Sequence, residues 1–349
     1  MLESNTNELL INDVNLKTRS PIQRLTAFWA FSEAGLGGVL HLTRLPFKGI
    51  LIAGAATLFI TLITQFSKIK GNILRSTVLV IVVKFLVSPY TPITAAIAVF
   101  AQGLLGELFF SSQRFRKILI PAFSIFIQFI TAVQKILIVT ILFGQNFWIA
   151  VDDLANSILN QFTKVERIEF SYLIIVIYIA VHVVAGLLVG LFILKLIKYL
   201  NEAETTGGEK IIEFKPTEFS VTNAASKKLW FQKPSSLIIL IFVLVVLGLS
   251  FFLPDWTKSN FVDIILMIVR AIIIIALWYI LLAPMLRKIL SKLLSKHKTK
   301  RLEEIDDILQ FFPMLKQIVI FSWNNSKSYR GIKRIKTFIF IVIIYALAR

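Results

Sequence analysis

The chain has 349 residues, 56% of them hydrophobic and 30 of them phenylalanine, with a mean hydropathy of +0.78. A soluble domain of that composition would expose far too much apolar surface, which points to an integral membrane protein of all-α class. The net charge of +18 sits in short basic clusters between apolar runs, a topology-fixing pattern that argues against nucleic acid, and the lack of cysteine excludes disulfides, thiolate metal sites and a cysteine nucleophile.

Residues 1–24 are polar and lack the basic-then-apolar order of a cleaved signal peptide, so they are expected to be a cytoplasmic tail. A membrane-crossing helix needs about 20 mostly apolar residues. Stretches of that kind run at roughly 27–43, 49–66, 74–91, 92–110, 117–143 and 172–199. Lys17, Arg19 and Arg24 put the N-terminus in the cytoplasm. Lys68, Lys70 and Arg75, then Arg114, Arg116 and Lys117, mark the next two cytoplasmic turns. The uncharged Ser88-Pro89-Tyr90-Thr91-Pro92 and the acidic loop 144–171 are expected on the outside, with Arg44 and Lys48 the one exception to the rule. The expectation for 25–200 is therefore a six-helix membrane domain, multi-pass in the inner (cytoplasmic) membrane.

Residues 201–234 have linker composition, including Gly207-Gly208. In 235–349, apolar stretches at roughly 235–253 and 261–283 are joined by Pro254-Asp255-Trp256. A basic run from Arg287 to Arg301 and a short apolar stretch at 337–348 follow. The six-helix bundle is thus followed by two to three membrane helices and a cytoplasmic helix.

Within the first expected helix, Ala30, Ala34 and Gly38 stand at i, i+4 and i+8. That flat stripe suits close helix packing, either inside the same bundle or against a second membrane subunit. Glu33, His41, Lys84, Gln102, Glu107, Gln128, Gln134, Lys135 and His182 fall within apolar stretches. Ionisable groups there are costly and tend to face the bundle interior or a water-filled cavity. Lys84, Glu107 and Lys135 can also snorkel from helix ends, and any one residue has a purely structural reading. As a set, Glu33, Lys84, Gln102, Glu107, Gln128 and Gln134 suggest a polar pocket for a small solute, opening outward near Ser88-Pro89-Tyr90-Thr91-Pro92. Gly103 and Gly106 would allow close approach there, whereas His182 alone reads as a satisfied bundle histidine.

The stretch Gln310–Lys336 reads as one helix, apolar first and basic later. It contains Tyr329-Arg330-Gly331, followed by Lys333, Arg334 and Lys336. The planar guanidinium of Arg330 suits an anchor that satisfies several carbonyls or a carboxylate in a partner's pocket. Gly331 could end the helix. The simpler alternative is an ordinary positive flank before the last apolar stretch. No cofactor and no metal is implied. Asp152-Asp153 and Glu303–Asp307 are the acidic clusters that a membrane-bound enzyme of lipid or isoprenoid metabolism would use, but no catalytic carboxylate spacing accompanies them. A scaffold without solute is a further alternative.

Six helices, the small-residue first helix and SPYTPITAAIAVFAQGLLGELFF make residues 20–200 resemble the substrate-binding S component of energy-coupling-factor vitamin transporters. Residues 305–336 resemble the coupling helix of that family's T component, with Pro313 matching its proline and Tyr329, Arg330 and Gly331 its X-Arg-Gly tripeptide. The resemblance implies an S-like domain fused to a shortened T-like domain, and hence a component of an ATP-driven importer of a vitamin or precursor. Its arginine would insert into a cytoplasmic ABC-type ATPase, with the lipid bilayer and a further membrane subunit as other partners. The chain departs from the family in having fewer membrane helices in its T-like half and no second tripeptide. It also carries no GxxxxGK[ST] pattern, so the ATPase would be a separate subunit.

Overall fold

The computed structural model describes residues 20–36, 47–67, 69–88, 93–111, 115–163, 168–205, 260–277, 280, 284–285 and 300–347. Among these residues the regular structure is all helical. In chain order the main helices are α1 (Pro21–Phe31), α2 (Lys48–Phe66), α3 (Asn72–Val87), α4 (Ile93–Phe109), α5 (Arg116–Phe143), α6 (Gln145–Leu159), α7 (Phe170–Thr205), α8 (Asn260–Leu277), α9 (Lys300–Asn325) and α10 (Gly331–Leu347).

Local chemistry explains several of the boundaries. Ser20 accepts from the backbone N–H of Gln23 while the Gln23 side chain accepts from that of Ser20, and Pro21 occupies the first turn, a capping box that starts α1. Beyond Phe31 the helix loosens into a π turn, Ser32–Leu36. Residues 37–46, with Gly38 and His41, lie outside the described residues. Gly144, at φ +75, ends α5 and opens α6.

Helices α2, α5 and α7 (over Phe170–Glu202) are long and apolar enough to cross a membrane. On α7 the exposed residues Ile174, Ile177, Val181, Val184, Leu188 and Leu191 recur at alternating steps of three and four. That spacing lines up one continuous apolar stripe along the helix. A stripe of that length facing outward exceeds what soluble surfaces tolerate and supports association with a membrane. On its other side α7 packs on α5 with almost no room: a Cβ at Gly190 would sit 2.6 Å from the Cα of Pro121, and one at Gly186 would sit 2.7 Å from the Cα of Ile125.

Contacts sort the helix ends into two sets. Arg116 at the start of α5 donates to Gln65 and to the Thr64 carbonyl at the end of α2, and Glu107 near the end of α4 meets the start of α3. Arg75, one turn into α3, pairs with Glu304 near the start of α9, and Lys336 stands 4.6 Å over the ring of Tyr199 near the end of α7. This is the basic end. At the opposite end Lys84 meets Glu33, Gln134 meets the first turn of α4, and Phe47 stacks on Tyr178.

The C-terminal helices share the core of the N-terminal ones. Ile305, Ile308, Phe311, Leu315 and Ile318 form a buried face on α9, and with Val342, Ile343 and Ala346 of α10 they join one cluster with Leu25, Phe28 and Trp29 of α1. Phe312 meets Phe31 edge-on at 5.3 Å.

Three stretches differ from expectation. The segment 144–171 holds the amphipathic helix α6, whose Asp152 accepts from the backbone N–H and hydroxyl of Ser171 at 2.6 and 2.9 Å. The single helix expected over Gln310–Lys336 is two helices with a turn between them. The final helix starts at Gly331, ahead of the apolar stretch at 337–348. Of the linker expected over 201–234, residues 201–205 continue α7, while 206–234 and the stretch expected at 235–253 lie outside the described residues, as does most of 278–299.

Candidate functional site

Of the polar residues expected to line a solute pocket, Glu33 and Lys84 meet each other, while Glu107, Gln128 and Gln134 bond to backbone groups at other helix contacts. Lys84 on α3 donates to Glu33 of the π turn at 2.6 Å, and both are buried, Lys84 at 8% and Glu33 at 2% exposure. The second carboxylate oxygen of Glu33, Oε1, is buried without a hydrogen-bond partner. A buried ion pair of this kind is held by mutual compensation, because each charge has lost its water.

Glu107 works elsewhere, at the basic end. Its two oxygens accept from the backbone N–H groups of Gly71, Ile73 and Leu74 at 2.6, 3.2 and 3.4 Å. It therefore satisfies orphan donors of the first turn of α3, and a carboxylate there also suits the helix dipole. Gly71, at φ +89, has no side chain of its own to do so. Glu107→Ala is expected to lower stability by about 1–2 kcal/mol, the usual cost of a lost cap, seen as a drop in the thermal unfolding midpoint of the detergent-solubilised protein.

The glutamines tie helices together. Gln128 donates to the Ile50 carbonyl at 2.9 Å and Gln134 to the Thr94 carbonyl at 2.8 Å. Gln102 is buried next to Gly103, whose missing Cβ leaves the space that the Thr77 side chain fills. His182 is fully buried, with Nδ1 at 2.9 Å from the Tyr178 carbonyl and its ring 4.4 Å from that of Tyr178. Lys135 lies close enough to Lys48 for the two charges to repel. Ala30 is fully buried and Ala34 nearly so within the chain's own bundle.

The tripeptide Tyr329-Arg330-Gly331 lies in the turn between α9 and α10, and all three residues are exposed. The helical path ends in a short 3-10 turn, Ser326–Ser328, where the Tyr329 N–H donates to the Ser326 carbonyl at 3.1 Å. Gly331 then takes φ +59, a left-handed conformation costly for any residue with a Cβ, and opens α10 instead of closing the preceding helix. Two cation–π contacts brace this corner: Arg334 stands 4.1 Å over the Trp323 ring, and Lys336 stands over Tyr199. Lys327, Arg330 and Lys333 remain exposed on it.

Arg75, Glu304 and Asp307 line a cleft of about 280 Å³ between α1, α3 and α9. Among the described residues no group of three or more His, Asp or Glu is placed to hold a metal ion. No family model, characterised protein or solved structure matches this chain.

Proposed function

We propose that the chain is the membrane component of an ATP-driven importer of the energy-coupling-factor type, docking to a cytoplasmic ABC-type ATPase through the α9–α10 turn. The observation that carries this reading is the exposed, braced turn holding Arg330. A guanidinium that its own chain leaves open to solvent is available to a partner's carbonyls or carboxylate. Its setting supports a cytoplasmic orientation. Arg24, Lys70, Arg75, Arg116 and Lys198 gather at the basic end, where Lys336 also lies, as the positive-inside rule requires of the cytoplasmic side. Closure of the ATPase dimer would push on this corner, and the shared core of α9, α10 and α1 would carry the push into the N-terminal helices. In the importer, those helices would hold a small solute such as a vitamin or precursor.

Arg330→Glu is expected to cut ATPase co-purification about tenfold or more, as loss of an interfacial anchor arginine does, while leaving membrane insertion unchanged. An undiminished pull-down would overturn the assignment of the turn.

That Glu33 and Lys84 satisfy each other while Glu107, Gln128 and Gln134 bond to backbone groups elsewhere favours a second reading, a membrane scaffold that docks the same partner and carries no solute. ATP-driven accumulation of solute in proteoliposomes holding the co-purified complex separates the two.

A further inference from the structure

The corner between α9 and α10 is apolar as well as basic. Ile332, in the first turn of α10, is 86% exposed, more than any other large apolar side chain among the described residues. Ile335, three residues on and so on the same face, is 53% exposed, and Tyr329 just ahead of them is 48% exposed. Lys327, Arg330 and Lys333 alternate with these side chains and are exposed, and among the described residues none of the three takes part in an ion pair. No acid tempers them in sequence, because the chain has no Asp or Glu from Ile308 to Arg349. Arg334 and Lys336 are engaged within the chain, over Trp323 and Tyr199.

The end of α7 sets the depth of this corner. Tyr199, under Lys336 at 4.6 Å, lies in the last turn of Phe170–Glu202, the part of α7 long and apolar enough to cross a membrane. From Gly331 to Lys336 the rise along α10 is only about 7.5 Å. The corner therefore sits within about 10 Å of the place where α7 leaves the hydrocarbon, at the level of a headgroup layer roughly 5–8 Å thick.

We propose that this corner binds the anionic phospholipids of the adjacent leaflet, with Lys327, Arg330 and Lys333 on the phosphates and Tyr329, Ile332 and Ile335 among the upper acyl chains. Any surface that covers the corner must accept cations and bare aliphatic groups in alternation. A leaflet edge offers phosphate and hydrocarbon within a few ångströms of each other, which is the setting that basic amphipathic segments beside a membrane helix favour. Anionic headgroups are selected over zwitterionic ones because a choline or ethanolamine ammonium would face the same cations that attract the phosphate. Lipid binding of this kind needs no ATPase, so it stands apart from the importer reading.

The chain has no cysteine, so Ile332→Cys gives a single labelling site in the full-length protein. An environment-sensitive fluorophore there is read in nanodiscs of phosphatidylcholine, alone or mixed with increasing phosphatidylglycerol. Its emission is expected to shift to the blue and its quenching by aqueous acrylamide to fall as phosphatidylglycerol is added, and high salt should reverse both. Lys327→Gln and Lys333→Gln should each raise the phosphatidylglycerol fraction needed for half the change by about fivefold, the equivalent of about 1 kcal/mol per cation. Lys135→Gln, exposed at the opposite end of the bundle, should behave like the parent. Native mass spectrometry of the unlabelled protein gives a second measure: phosphatidylglycerol retained over phosphatidylcholine, and lost when Lys327→Gln and Lys333→Gln are combined. The same response in both membranes, or parent-like behaviour of both lysine variants, would overturn the proposal. So would a label that stays open to acrylamide in every membrane and is covered only when a co-purified ATPase is added, which would make the occupant a protein.

Discussion

Lys84→Met, with Glu33 left in place, is expected to destabilise the helix bundle by about 3–5 kcal/mol, the cost of leaving one member of a buried ion pair uncompensated. Methionine matches the lysine stem in length, so packing of α3 against the π turn is largely kept and the loss reports the charge. Glu33 already has one oxygen without a hydrogen-bond partner, so the substitution would leave the whole carboxylate unmatched at 2% exposure. Glu33→Leu alone should cost a similar amount through the stranded ammonium. The double variant Glu33→Leu/Lys84→Met should recover most of the loss, because a packed apolar pair often equals or exceeds a buried salt bridge in stability. Denaturation of the solubilised protein, followed by far-UV circular dichroism, reads all three. Single-variant losses below about 1 kcal/mol would mean that the pair is solvated. The double variant also bears on function. On the proposed importer reading, a double variant that is stable but supports no solute accumulation would give the pair a part in transport as well as folding.

That pair shows what a linear chain does and does not disclose. Glu33 and Lys84 are visible in the sequence as charges inside apolar runs, but their meeting depends on α1 and α3 running side by side, which no local pattern encodes. Glu107 makes the point more sharply. It looks like another intramembrane acid, yet its partners are backbone groups of a turn more than thirty residues earlier. The helices α2 and α5 were legible to within one residue of 49–66 and 117–143, and α7 to within two residues at its start and six at its end of 172–199, because charges and turn residues bound mostly apolar runs. Helix α6 was not, since an amphipathic helix lying among acids reads as an outer loop unless its 3.6-residue period is sought. The corner at 326–330 did leave a signal in Asn324-Asn325-Ser326, residues that favour turns by bonding to nearby backbone. The cleft at Arg75 had none, because it is assembled from helices more than two hundred residues apart in sequence.

Gly190→Ala and Gly186→Ala are expected to be damaging out of proportion to the single methyl that each adds. At Gly190 the added methyl would lie 2.6 Å from the Cα of Pro121, and at Gly186 it would lie 2.7 Å from the Cα of Ile125 and 2.9 Å from the Ser124 carbonyl oxygen. These are main-chain atoms, and Pro121 lies inside α5, so no side-chain rotation can relieve the clash. The two helices would have to separate, at a cost of about 1–3 kcal/mol for each site and more for the pair. Gly54→Ala, on α2, is the matched control. Its methyl would meet Val189 at 3.5 Å, an ordinary contact, and alanine's better helix propensity contributes up to about 1 kcal/mol in its favour. The two kinds of site should therefore shift the thermal midpoint in opposite directions. If Gly186→Ala and Gly190→Ala prove as benign as Gly54→Ala, α5 and α7 do not meet backbone to backbone. The register that brings Gln128 to Ile50, on the same face of α5, would then have to be redrawn.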